Sequence, residues 1–237
     1  MPTDDAIPTI YALASAPGRA AIAVIRLSGP EVRTTLEAIA GRVPPPRRAA
    51  RVRILDPGRD ETIDDGLVLF FPAPNSYTGE DVAELHLHGS RAVLTEVFDV
   101  LGRRDGLRLA EPGEFTRRAF ENGKLDLTEA EAVADLIAAD TAQQRRQAMT
   151  QLEGALGMLY EDWRGRLMRA LARLEAEIDF PDEGLPPDLL AGIRQDIAAL
   201  GAETMAHLDD RRRGERTRDG VSVAILGPPN SGKSSLL

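Results

Sequence analysis

A chain of 237 residues with 43% hydrophobic content is long enough to close one or two packed cores, and its ordinary charged fraction excludes a mostly disordered polymer. Cysteine is absent, which rules out disulfides, zinc–thiolate centres and thiol nucleophiles within these residues and fits a reducing compartment. A formal net charge of −9 argues against a chain that wraps nucleic acid by bulk electrostatics, so any RNA contact has to be local.

The N-terminal stretch MPTDDAIPTI has no early basic residue, and no later apolar run approaches the ~20 residues of a membrane span. A cytoplasmic protein without membrane association is expected. Over the first ~110 residues, β-branched runs alternate with Gly- and Pro-rich breaks. They predict strands over 9–14, 21–28, 51–55, 63–71 and 81–88, with helices over 30–40 and 91–103 between some of them. The fold class that follows is a compact α/β domain with a mixed sheet. Arginines cluster at Arg47, Arg48, Arg51 and Arg53, at Arg103, Arg104 and Arg108, and at Arg211, Arg212 and Arg213; each cluster reads first as a solvated face and only second as an RNA contact.

From Glu114 onward the pattern is helical. Thr128-Glu129-Ala130-Glu131 and Thr141-Ala142-Gln143-Gln144 both spell a capping box. Met149, Leu152, Leu156, Leu159, Trp163, Leu167, Leu171, Leu174 and Ile178 recur at steps of three and four, tracing one apolar stripe on a helix over 141–179 that would span about 58 Å. Such a stripe is helix-on-helix core, with part of its covering expected elsewhere in the intact chain. Pro181, Pro186 and Pro187 end it, and a second helix over 188–212 makes a helical hairpin.

The apolar run Val221 to Leu226 has the character of a buried parallel strand. Gly227-Pro228-Pro229-Asn230-Ser231-Gly232-Lys233-Ser234 follows at once and fits the phosphate-binding loop G-x-x-x-x-G-K-[ST] without a mismatch. The glycines let backbone amides turn toward phosphates, Lys233 supplies a charge for the β- and γ-phosphates, and Ser234 offers a hydroxyl to Mg²⁺. Ser235 opens the helix whose N-terminal dipole favours the anion. The loop does not distinguish ATP from GTP. The motifs that read the base and drive hydrolysis are expected beyond Leu237, so no catalytic residue is assigned and the sequence reads as truncated.

Several further strings in fixed order carry a closer resemblance. They are Ala16-Pro17-Gly18-Arg19, Ile25-Arg26-Leu27-Ser28-Gly29, Phe71-Pro72-Ala73-Pro74-Asn75-Ser76-Tyr77-Thr78-Gly79-Glu80-Asp81, and Glu111-Pro112-Gly113-Glu114-Phe115-Thr116-Arg117-Arg118-Ala119-Phe120. Asn122-Gly123-Lys124-Leu125-Asp126-Leu127 and Ile178-Asp179-Phe180-Pro181-Asp182-Glu183 complete the set. In these the chain resembles the MnmE (TrmE) family of tRNA-modification GTPases from about Thr9 to Leu237. The resemblance implies a folate-binding, dimerising domain over 1–118, the first half of a helical domain over 119–217, and the strand and phosphate loop of a Ras-like G domain over 218–237.

It further implies a homodimer that works with the flavoprotein MnmG (GidA) on tRNA. The implied reaction adds an aminomethyl or carboxymethylaminomethyl group at C5 of the wobble uridine, using GTP hydrolysis and a 5-formyl- or methylene-tetrahydrofolate as one-carbon donor. Carried over by motif position, Arg26, Glu84 and Lys124 are the folate-contacting residues. A carboxylate accepts from the N–H groups of a pterin edge, and Arg and Lys pair with the glutamate tail; which cation does which is open. Asn230, Ser231, Gly232, Lys233, Ser234 and Ser235 hold the GTP phosphates, with Asn230 toward K⁺ and Ser234 toward Mg²⁺. By spacing alone Asn230 serves equally well as a turn residue. His86 and His88 share one strand face, but no third metal ligand accompanies them. The family commonly has two glycines where this chain has Gly89-Ser90, which puts the next helix N-terminus in question. Two other readings stand beside this one: a folate-binding, dimerising module without GTPase activity, and an unrelated P-loop ATPase or kinase. The chain by itself is expected to hydrolyse no GTP.

Overall fold

The computed structural model describes residues 7–179, 189–209, 218, 224–228 and 231–233. They form two compact units, Met1–Asp126 and Leu127–Leu237. The first unit contains β1 (Thr9–Leu13), β2 (Ala20–Ser28), α1 (Val32–Ala40), β3 (Ala50–Asp56), β4 (Glu61–Phe71), β5 (Val82–Gly89), α2 (Arg91–Gly102), β6 (Leu107–Leu109) and α3 (Glu114–Glu121). The strands make one sheet in the order β3-β4-β5-β2-β1-β6. Neighbours are antiparallel except β1 and β6, which run parallel with Thr9 opposite Leu107. The sheet is therefore mixed, as expected, with β6 added at an edge.

Alternation along the central strands decides the layers. Ile25 and Leu27 of β2, with Ala83, Leu85 and Leu87 of β5, are buried in one core with Val32, Leu36 and Ile39 of α1 and Val97, Val100 and Leu101 of α2. Each fully buried Leu, Ile or Val contributes about 1.5–3 kcal/mol relative to exposure. Because side chains alternate, the intervening Arg26, Glu84 and His86 project from the opposite face of the sheet. Two local features fix this frame. Gly29 has φ +135° and a Cβ there would sit 2.7 Å from Thr9 Cα, so only glycine ends β2 in this way. Ser90 caps α2, its Oγ accepting from the Val93 amide at 3.2 Å. The departure at Gly89-Ser90 thus supplies a side-chain cap.

The units divide between Asp126 and Leu127 rather than after Arg118. The reason is that α3 is tied to the sheet unit: Arg118 pairs with Glu80, and Asn122 Nδ2 donates to the Thr78 carbonyl at 2.7 Å. The second unit contains α4 (Leu127–Ala138), α5 (Ala142–Leu152), α6 (Ala155–Asp179) and α7 (Leu189–Leu208). The Thr141 capping box is present in full, with Gln144 N donating to Thr141 Oγ1 at 3.1 Å and Thr141 N donating to Gln144 Oε1 at 2.8 Å. Thr128, by contrast, is the second residue of α4 and lies inside the helix it was expected to cap.

The single helix expected over 141–179 is two helices. The chain breaks at Gly154, whose φ of +81° is left-handed, a conformation that α-helix excludes and that glycine alone adopts cheaply. α6 and α7 pack as the hairpin, joined by Trp163 edge-on to His207 at 5.5 Å and by Arg166 paired with Glu203. The stripe is not core along its length: Leu171 is 48% and Ile178 67% exposed. Of the expected strand 221–226, residues 221–223 lie outside the described residues, and 224–226 are irregular. A parallel strand is held by ladder bonds to its neighbours, and among the described residues every strand belongs to the first unit. No helix among the described residues is long and apolar enough to cross a membrane.

Candidate functional site

Arg26 and Glu84 face each other across β2 and β5. Arg26 Nε and Nη2 both donate to Glu84 Oε1, at 3.1 and 2.8 Å, and His86 Nε2 lies 3.2 Å from Glu84 Oε2. Glu84 is half-buried. Burial works to raise its pKa, but hydrogen bonds from Arg26 and His86 outweigh it and hold the carboxyl below the ordinary value. The carboxylate is therefore charged at neutral pH and already oriented to accept N–H donors. Tyr77, from the β4–β5 loop, and Phe115, from α3, stand over the Arg26 guanidinium with ring centres 5.3 and 5.7 Å from Cζ.

Lys124 reaches the same loop from beyond α3. Its backbone amide donates to the Ala119 carbonyl at 2.8 Å, and its Cγ and Cδ lie 3.3 Å from where a Cβ on Gly79 would be. The three residues assigned by resemblance thus belong to one unit: Arg26 and Glu84 in direct contact, Lys124 against the loop that carries Tyr77. The donor set suits a reduced folate, with a carboxylate for the pterin edge, cations for the carboxylate tail and aromatic faces for a flat heterocycle. His86 and His88 do not form a metal pair. His88 Nδ1 lies 2.8 Å from Asp64, while His86 turns to Glu84, and among the described residues no group of three or more His, Cys, Asp or Glu converges on a metal position.

Tyr77 and Phe115 sit inside the strings quoted from the sequence, yet nothing in their spacing marks them as neighbours of Arg26. The same holds for the buried cluster beside them. Glu80 joins Arg118 to Ser28, whose Oγ donates to Glu80 Oε2 at 2.5 Å and shares a hydrogen bond with Thr78 Oγ1 at 2.7 Å. Only the Glu114–Arg118 pair is legible, as an i,i+4 pairing.

In the phosphate loop, Lys233 Nζ donates to the carbonyls of Gly227 at 3.0 Å and Pro228 at 2.6 Å, drawing the loop closed around the ammonium. Gly232 has φ +82°, so a glycine is needed where it stands. Ser231, Gly232 and Lys233 are therefore placed in one loop, whereas Asn230, Ser234 and Ser235 lie outside the described residues. In the described arginine clusters Arg51 pairs with Asp65 at 2.9 Å, Arg103 with Asp56 at 2.7 Å and Arg108 with Glu114 at 2.6 Å. Arg211, Arg212 and Arg213 lie outside the described residues.

Comparison with known proteins agrees with this geometry. Residues 9–124 match the family model described as GTP-binding protein TrmE N-terminus, and residues 127–226 match the MnmE helical domain. The chain is 64% identical over 230 residues to the tRNA modification GTPase MnmE of Parvibaculum lavamentivorans and 62% identical over 230 residues to that of Paramagnetospirillum magneticum. Each match covers 97% of this chain and 52% of the relative, so the chain spans about half the length of the curated relatives it matches. The two models meet at the boundary between the two compact units, and together they account for both; the chain belongs to the MnmE (TrmE) family of tRNA modification GTPases.

Proposed function

We propose that this chain is the folate-binding and helical part of a GTPase that, with the flavoprotein MnmG, adds an aminomethyl or carboxymethylaminomethyl group at C5 of the wobble uridine of certain tRNAs. The observation that carries the reading is the charged Glu84, held by Arg26 and His86 on the sheet face opposite the core within the part that matches the TrmE N-terminal model. A tetrahydrofolate derivative supplies the one-carbon unit when bound. Glu84, held by Arg26, accepts from the N–H groups of its pterin edge, Lys124 is the cation left for its tail carboxylates, and Tyr77 and Phe115 limit water at the pair. The sheet unit, Met1–Asp126, serves as the dimerising part of a homodimer.

The phosphate loop is the start of a G domain from about residue 218, with Asn230 toward K⁺, Ser234 toward Mg²⁺, and Lys233 exchanging its carbonyl partners for the β- and γ-phosphates of GTP. The protein works in the cytoplasm.

Calorimetry with 5-formyltetrahydrofolate tests the site. Glu84→Gln keeps the shape and removes the charge, so it should weaken binding by about 1.5–3 kcal/mol, the range for hydrogen bonds to a charged group. Equal affinity in the two forms removes Glu84 from the site.

A further inference from the structure

The loop over 72–81 is fastened to α3 at successive points. Tyr77 Oη and Thr116 Oγ1 share a hydrogen bond of 2.9 Å, Arg118 Nη1 reaches Glu80 Oε1 and Oε2 at 3.1 and 3.2 Å, and Asn122 closes on the Thr78 carbonyl at 2.7 Å. Gly79 lies between, with φ +81° and Asn122 Cβ 3.2 Å from where its own Cβ would be. Arg118 is the buried centre of this fastening: its Nη2 also donates to the Pro8 carbonyl at 2.9 Å and to Glu114 at 3.1 Å. Loop and helix each deliver one ring to the Arg26 guanidinium.

An arginine side chain left to itself samples many rotamers, and its fork then meets a carboxylate only part of the time. Two ring faces within 6 Å attract the cation and restrict that sampling. We propose that Tyr77, Phe115 and Arg118 are positioning residues. Arg118 locks the loop to α3, and the two rings hold the Arg26 guanidinium so that Nε and Nη2 stay on Glu84 Oε1. Glu84 Oε2, which meets only His86 Nε2 at 3.2 Å, then keeps a lone pair for an incoming N–H donor. This rests on the folate reading of the site, to which it adds residues that work through Arg26.

The test reads Arg26 directly. In ¹⁵N NMR of the full chain without ligand, the Arg26 Nε–H should be shifted upfield by the rings and exchange slowly with water. Phe115→Leu keeps an apolar side chain but removes the ring. It should shift the resonance downfield, speed exchange about fivefold, and weaken 5-formyltetrahydrofolate binding by a similar factor, while Phe115→Tyr restores all three. Thr116→Val, which frees the Tyr77 hydroxyl with little change in volume, should act in the same direction and serves if Phe115→Leu fails to fold. An Arg26 Nε–H unaffected by either folded variant overturns the positioning role, whatever the folate does. An Arg26 signal that responds as described, in a chain that binds no folate before or after Glu84→Gln, keeps the restraint on Arg26 and overturns the ligand reading.

Discussion

Glu114 shows how one side chain couples this fold to pH. It is buried and accepts from Arg108 Nη1 and Nη2 at 2.8 and 2.6 Å, from the Glu111 amide at 2.8 Å and from Arg118 at 3.1 Å. The Arg108 hydrogen bonds lead, opposed by burial and reinforced by Glu111 and Arg118, and they bring the carboxyl from 4.5 down to about 2. A pKa depressed in the folded state stabilises that state at pH values above the unfolded pKa. The contribution declines below about 4.5 and is gone once pH has fallen through about 2. At neutral pH it amounts to roughly 3 kcal/mol. Glu114→Gln should therefore lower stability in urea unfolding at pH 7 by about 3 kcal/mol, and the gap from the parent should shrink to about half at pH 3. A gap of constant size across that range would mean that the carboxylate charge is not what holds α3. In the sequence, Arg118 four residues after Glu114 was readable as a helical pair. Glu80 was not, because it enters the cluster from a loop whose path is set by the sheet.

At the scale of elements, strand positions were legible to within one or two residues because one face is buried and the alternation is strict, as in Ala23, Ile25 and Leu27. β6 escaped because it has three residues and exists through its parallel pairing with β1. The break between α5 and α6 escaped for a different reason: Leu152 and Leu156 keep the four-residue step straight through it, so the stripe conceals the glycine. A Cβ on Gly154 would have only Glu129 Oε1 nearby, at 3.7 Å. Gly154→Ala should thus meet no clash and cost only the left-handed backbone strain, about 1–2 kcal/mol. The expected outcome is a lower melting temperature without loss of helical circular dichroism. A variant as stable as the parent would show that α5 and α6 can rejoin as one helix at no cost.

Among the described residues the sheet unit closes a core and the helical unit carries an exposed apolar row. Leu167, Leu171, Leu174 and Ile178 follow each other along α6 and are all exposed. A row of apolar side chains of this length promotes association. Sedimentation should reveal species larger than a dimer at high concentration, and Leu171→Glu combined with Leu174→Glu should return them to the size set by the sheet unit. Large species that persist in the double variant would place the sticky surface elsewhere. The periodicity announced this stripe but not its exposure, since spacing records which residues share a face and says nothing of what lies against it. In β2 both possibilities meet on one strand: Ile25 and Leu27 close the core while Arg26 and Ser28, one residue out of phase, carry the pair with Glu84 and the link to Glu80. Substitution on either face is a local event, but loss of a single codon between Ala23 and Ser28 would turn the guanidinium inward and the aliphatic groups outward in one step. This stretch of the gene can therefore drift in letters and not in length.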